Sequence, residues 1–320
     1  MKLTVDCPLS NNLLSLPADS ALARLLARAN VRQLDLPLEA VVCAQHGLTA
    51  KPDYPIAAIA AHADGLAVGD DYWLRADAVH LLLQRDSFSL SEPAPLQVER
   101  EHAELIIASL NQHFGQDGMT FCIGNSGAWY LRLKQMPEIQ TTLPSVAMDR
   151  NIYQFMPQGA AASAWVSYLN EAQMLLHDHS VNIQRESKHQ AAINSVWLSG
   201  GGFMPHPLSA ENGIDFFVAS SPFYHGLAQW SGLAVQQAEQ PLSKISQHIG
   251  AHLHARLELP GQHVSDDVNF AMLWEALGAG KVEQLTLNLG CYEKTLVATI
   301  RPVDTYKFWR KSKPVGLYLK

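Results

Sequence analysis

NSVWLSGGG, at Asn194–Gly202, is the stretch whose reading decides the fold class. Ser195–Leu198 is a short run of β-branched, aromatic and aliphatic side chains, which predicts a buried strand. Gly200, Gly201 and Gly202 follow. Successive glycines reach backbone angles closed to other residues and let another group come close to the main chain. That leaves two readings, a cradle for a small anion or a tight exit from a sheet, and spacing does not separate them. No GK[ST] follows, so the run is not a P-loop, and the GxGxxG of dinucleotide sites is absent.

Working outward, elements of both kinds flank this strand. Upstream, Gly159–His179 reads as a long helix, with Trp165, Leu169, Gln173 and Leu176 roughly on one side. Downstream, Asp215–Ala219 reads as a strand running into Ser220-Ser221-Pro222, where a helix is expected to start and to continue to Ser231. Toward the N-terminus, Leu3–Val5 reads as a strand and Asp19 as the cap of a helix carrying Leu22, Leu25, Leu26 and Ala29. Pro37–Ala44 and Pro55–Ala63 read as buried helices; Tyr72–Leu74, Val79–Leu83 and Ser87–Leu90 read as strands. Residues 98–114 form a helix stopped by Gly115, and FCIGNSGAWYLRL is a hairpin turning at Asn125-Ser126-Gly127. Residues 135–158 read as a long loop, Pro241–Leu257 as a helix, and Leu285–Leu289 with Thr295–Ile300 as a final hairpin. The pattern predicts an α/β protein with a mixed sheet flanked by helices, organised as one domain over 1–320 with a subdivision near residue 160 conceivable.

Composition narrows the function classes. Net charge is −7 with 48% hydrophobic residues, a globular balance without the basic stripe a nucleic-acid binder needs. The basic cluster Lys307, Arg310, Lys311 and Lys313 reads as solvated surface. Cysteines at 7, 43, 122 and 291 form no CxxC pair, which predicts free thiols in a reducing compartment. MKLTVDCPLS does not read as a signal peptide and no stretch reads as a membrane span, so a cytoplasmic location is expected, with no membrane or nucleic-acid partner.

The polar residues around the decisive strand suggest chemistry. Asn182, Arg185 and Asn194 lie close to it in sequence; Arg185 could pair bidentately with a phosphate or carboxylate, or form a salt bridge to Glu171 or Glu186. Ser221 would open a helix at the carboxyl end of a strand, where α/β proteins bind ligands and where free N–H groups attract anions, or would simply cap that helix. The candidate ligand set is thus Asn182, Arg185, Asn194, Gly200, Gly201, Gly202 and Ser221, for a small anionic metabolite. His248 and His252 share a helix face but lack the glutamate of an HExxH site; His177, His179 and His225 are the remaining catalytic candidates.

The block NEAQMLLHDHSVNIQRESKHQAAINSVWLSGGG, followed by YHGLAQWSGL, resembles the corresponding segments of archaeal-type cofactor-independent phosphoglycerate mutases, of the alkaline-phosphatase superfamily. With TYKFWRKSKP it also resembles a bacterial group of RpfE-type regulatory proteins, departing at Ser199, where tryptophan is usual. The mutase resemblance implies a phosphatase-like core in which two metal ions, held by Asp and His, activate a serine. The segments that supply those ligands, an Asp-Gly turn leaving an early strand and a late HxxDxxGH block, are not found. The resemblance therefore implies a mutase-like core without its metal-site segments. The expected protein is non-catalytic, regulatory or ligand-sensing, with no cofactor and with a small metabolite or a protein as partner. A divergent phosphoryl-transfer or hydrolytic enzyme and a structural interaction module are the alternatives.

Overall fold

A strand buried on both faces reads as a continuous apolar run, and LTVDC is such a run with one carboxylate set into it. In the computed structural model, which describes residues 1–83, 88–90, 96–206, 213–236, 253–259 and 266–319, this stretch is β1 (Lys2–Pro8), buried from Leu3 to Cys7. Next come α1 (Asn11–Leu14) and α2 (Ala21–Arg28). The cap of α2 is Ser20, one residue after the expected Asp19: the Ser20 hydroxyl accepts the Ala23 N–H at 3.2 Å. β2 (Asn30–Leu34) and α3 (Leu38–Gln45) complete this segment.

The chain divides into two compact units, Met1–Gly47 with Leu208–Lys320, and Leu48–Pro207; residue 160 lies inside the second. The second unit opens with α4 (Ile56–Ala63), β3 (Tyr72–Val79), β4 (Leu81–Leu83) and β5 (Phe88–Leu90). It continues with α5 (Arg100–Phe114), β6 (Met119–Ile123), β7 (Trp129–Leu133) and the short α6 (Pro144–Ala147), which interrupts the expected loop. α7 (Ala162–His177), α8 (Ser180–Ser187) and β8 (Ser195–Gly202) close it. Its main sheet is antiparallel in the order β6-β7-β3-β8. The expected hairpin is β6–β7, with Gly127 at φ +87° in its turn, a region open to glycine. Ile106, Leu110 and Phe114 of α5 and Trp165, Leu169 and Leu176 of α7 form the core with Leu131 and Leu198 of the sheet.

Back in the first unit are β9 (Phe216–Val218), α9 (Pro222–Trp230), β10 (Ala234–Gln236) and β11 (His254–Glu258). α10 (Asp266–Gly278), β12 (Gln284–Cys291) and β13 (Lys294–Ile300) follow. The sheet order is β10-β9-β11-β1-β12-β13-β2, parallel through the first five strands and antiparallel at β13 and β2. The expected helix running to Leu257 is overturned at its end. HARLE alternates, Ala255 and Leu257 are buried, and pairing with β1 and β9 wins over helical spacing. The rest of that segment, with His248 and His252, lies outside the described residues. The mixed sheet with helices packed on it is the α/β class expected. No helix among the described residues is long and apolar enough to cross a membrane.

Candidate functional site

Parallel strands place their chemistry toward their carboxyl ends, and inside these strands the first unit buries an ion pair. Asp6 of β1 and Arg256 of β11 are completely or almost completely buried. Arg256 Nε donates to Asp6 Oδ2 at 2.5 Å and Nη2 donates to Oδ1 at 2.9 Å, a bidentate fork. Asn288 of β12 donates Nδ2–H to the same Oδ1 at 2.6 Å. Gln45, the last residue of α3, accepts from Arg256 Nη2 at 2.9 Å. The helix thus ends beside the cation, where its dipole favours positive charge. Register explains the convergence: Asp6 lies opposite Glu258 on one side and Asn288 on the other.

His46 follows Gln45 and is buried. Its Nδ1 lies 2.9 Å from the Val42 carbonyl oxygen, which can only accept, so the neutral ring carries its proton on Nδ1. Nε2 then keeps a lone pair with no hydrogen-bond partner among the described residues. Burial first, and then the Arg256 charge, pushes the His46 imidazole down to about 4. The ring packs tilted against Phe217, with centroids 5.7 Å apart. Burial pushes the Cys43 thiol and the Tyr224 phenol above their usual range; the Asp6 charge adds to the effect on Tyr224.

Ser221 belongs to this unit. It occupies the N-cap position of α9, but its side chain makes no capping bond. The Ser220 and Ser221 N–H groups both donate to Glu258 Oε2 at 2.9 Å. The anion at this helix start is the protein's own carboxylate. His225 Nε2 lies 2.9 Å from the Ala219 carbonyl.

The other candidate residues lie in the second unit, and their polar atoms meet main chain. Asn182 donates to the Leu176 and Ile193 carbonyls and accepts the Ile193 N–H, each at 2.8 Å. Arg185 is buried; its Nε donates to the Ala191 carbonyl at 2.8 Å and its Nη2 to the Leu96 carbonyl. No salt bridge joins it to Glu171 or Glu186; Glu171 pairs with His113. Asn194 exchanges two hydrogen bonds with the Leu81 backbone, at 2.7 and 2.9 Å.

The glycines are the last residues of β8 rather than a loop beyond it. A Cβ on Gly202 would lie 2.7 Å from the Pro55 Cα, and one on Gly201 would lie 2.3 Å from the Tyr72 Oη. Gly200, at φ +64°, donates its N–H to Thr141 Oγ1 at 3.1 Å. The close approach that glycine permits is therefore made by protein atoms, including the start of α4. Beside it, the Asp53 carboxylate accepts the Thr141 N–H at 3.0 Å and its hydroxyl. Burial raises the Asp53 carboxyl above its usual range against those bonds. The Tyr72 hydroxyl is buried with no hydrogen-bond partner among the described residues.

The residues present do not fit the two metal ions that the mutase resemblance implies. Both oxygens of Asp6 are engaged by Arg256 and Asn288, and the described residues contain no group of three His, Cys, Asp or Glu side chains able to hold a metal.

Fold and site together define an α/β protein with a buried, hydrogen-bonded ion pair set within its parallel strands. Among solved structures it is similar to the PH0037 protein from Pyrococcus horikoshii, with a TM-score of 0.52 and 12% identity over 99% of this chain and 92% of that one. It is also similar to the cofactor-independent phosphoglycerate mutase from Thermoplasma acidophilum DSM 1728, with a TM-score of 0.45 and 13% identity over 98% of this chain and 93% of that one. The first likeness shows the fold. No protein-family model matches the chain, and no curated protein does.

Sequence reasoning missed Asp6, Arg256, Asn288, Gln45 and His46. The available signal was Asp6 inside the apolar run LTVDC and Arg256 between the two apolar positions of HARLE.

Proposed function

We propose that this is a non-catalytic regulatory or ligand-sensing protein, related to the cofactor-independent phosphoglycerate mutases, that recognises a small phosphorylated or carboxylated metabolite. One observation carries the reading. The carboxylate on the central parallel strand, placed where this fold class puts its chemistry, is closed off by Arg256 and Asn288. Both of its oxygens already accept hydrogen bonds in the core, so use of this group as nucleophile, base or metal ligand would disturb a buried ion pair. The regulatory half of the reading rests on the resemblance of NSVWLSGGG and TYKFWRKSKP to RpfE-type proteins. Asn182, Arg185 and Asn194 are committed to main-chain groups, and Arg256 is committed to Asp6, so a ligand reaching this cation would first have to displace the exposed Gln45 from its Nη2.

A second reading, a divergent hydrolytic or phosphoryl-transfer enzyme, is favoured by the bare Nε2 lone pair of His46, the form a general base requires. One experiment decides. Purified protein is assayed for phosphoglycerate interconversion and phosphate-ester hydrolysis with magnesium, manganese and zinc. A thermal-shift screen with 3-phosphoglycerate and related acids runs in parallel. The expected result is no turnover above blank, and stabilisation by about 2.7 kcal/mol for a ligand at ~100 times its dissociation constant. Metal-dependent turnover lost in Asp6→Asn or His46→Gln overturns the proposal.

A further inference from the structure

Folded proteins seldom hold several large aromatic side chains rigidly in water. Among the described residues of its first unit, this one does so at a single place. Tyr306 is 73% exposed, Phe308 83% and Trp309 66%, with Val303 exposed beside them. The Phe308 and Trp309 rings meet edge to face at 5.4 Å. Their backbone is tied down. The Phe308 N–H donates to the Tyr306 carbonyl at 2.8 Å and the Arg310 N–H to the Lys307 carbonyl at 3.0 Å. Arg310 Nη1 donates to the Ala29 carbonyl at 2.9 Å, and Arg28 donates to the Arg310 carbonyl. The aromatics are therefore displayed by a fixed turn.

The charge around them has one sign. Lys307, Arg310, Lys311 and Lys313 flank the rings in sequence; Lys313 Nζ lies 4.5 Å from the Tyr318 ring centroid, and the acidic residue of the segment, Asp304, is paired with Lys307 and accepts the Arg301 N–H. In a chain of net charge −7 this is a local reversal. The Debye length is about 8 Å in physiological salt, so a surface in contact with the patch feels the patch and not the whole chain.

We infer that this patch docks the protein, peripherally and reversibly, on an anionic lipid surface. Tryptophan, tyrosine and phenylalanine settle at the headgroup level of a bilayer, with an apolar body and a polar rim. Clustered lysine and arginine are what an anionic leaflet attracts. Aromatic residues and arginine are also enriched at protein interfaces, but lysine is depleted there, and three of the four cations here are lysines. Single-stranded nucleic acid needs a basic groove that tracks its backbone, whereas here the positive charge stays within one turn. No span is involved, only apposition through Phe308, Trp309 and the flanking cations.

The test is co-sedimentation of the full chain with phosphatidylcholine vesicles, with and without about one-third phosphatidylserine, at low and at high salt. Binding is expected only to the serine-containing vesicles and is expected to weaken with salt. Phe308→Ala with Trp309→Ala, and separately Lys311→Glu with Lys313→Glu, should each lower it about tenfold or more. Thermal unfolding of the variants verifies that each is folded, and Lys188→Glu serves as a remote charge control. Failure of the wild type to bind, or binding unchanged in both pairs of variants, overturns the inference. So does a concentration-dependent dimer that the aromatic variants abolish, which would make a second copy the occupant.

Discussion

Protonation of His46 should unfold this protein from within, and the size of the effect follows from the geometry. The imidazole is buried, donates from Nδ1 to Val42, and stands in the field of Arg256, so the folded state holds its proton affinity down to about 4 against an ordinary 6.5. Above about pH 6.5 the ring is neutral in both folded and unfolded chains, and its contribution is fully present. As pH falls, the unfolded chain takes up the proton first, and stability drains away until the folded ring also titrates near 4. Each tenfold difference in proton affinity is worth about 1.4 kcal/mol, so the full loss is about 3 kcal/mol. Roughly 2 kcal/mol of it falls between pH 7 and pH 5. His46→Asn keeps a donor on Cγ for Val42 and does not titrate. Urea unfolding of both proteins at a series of pH values should give a shallower acid dependence for the variant, with the curves diverging between pH 6.5 and 4. Parallel curves would refute the assignment of a buried neutral imidazole.

Other substitutions should behave as follows. Arg256→Met leaves Asp6 charged and unpaired in the core and should cost about 3–5 kcal/mol, whereas the double change Asp6→Leu with Arg256→Met should lie closer to wild type in urea unfolding. Tyr72→Phe removes a buried hydroxyl that has no partner among the described residues, and should raise stability by about 1 kcal/mol, the reverse of the usual effect of deleting a polar atom. Gly202→Ala forces a methyl group against the Pro55 backbone and should cost about 1–3 kcal/mol by the same measurement. Asn182→Ala strands three main-chain groups in the core and should cost about 3 kcal/mol, with hydrogen exchange accelerated at Ile193.

Much of the fold was legible where local signals act alone. Gly127 marks the β6–β7 turn because that turn needs a positive φ, and Pro222 marks the start of α9 because its ring fits the first helical turn. HARLE was misread because its strand character comes from partners, β1 and β9, far away in sequence. The glycine run shows a second limit. Spacing says that something comes close to the main chain at Gly200–Gly202, and only packing says that it is Pro55, Ile56 and Tyr72. The candidate site was nearly invisible, because Asp6, Gln45, Arg256 and Asn288 share no motif and meet only through sheet register. Arg185 and Asn182 were recognisable as unusual polar residues, but a buried arginine satisfied by carbonyls looks in sequence like one awaiting an anion.

The insertion of Leu48–Pro207 into the first unit has a consequence in time. β1 is made well before its partners: Asp6 and Arg256 are 250 residues apart, and Asp6 and Asn288 are 282 apart. During synthesis the second unit, contiguous in sequence, has all its own strands before the first unit has the neighbours of β1. Until then the ribosome-bound chain carries an unpaired strand whose one carboxylate, Asp6, lacks its native counter-ion. A lone carboxylate is costly to bury, so the native place of β1 in the sheet becomes favourable only once Arg256 is available to pair with it.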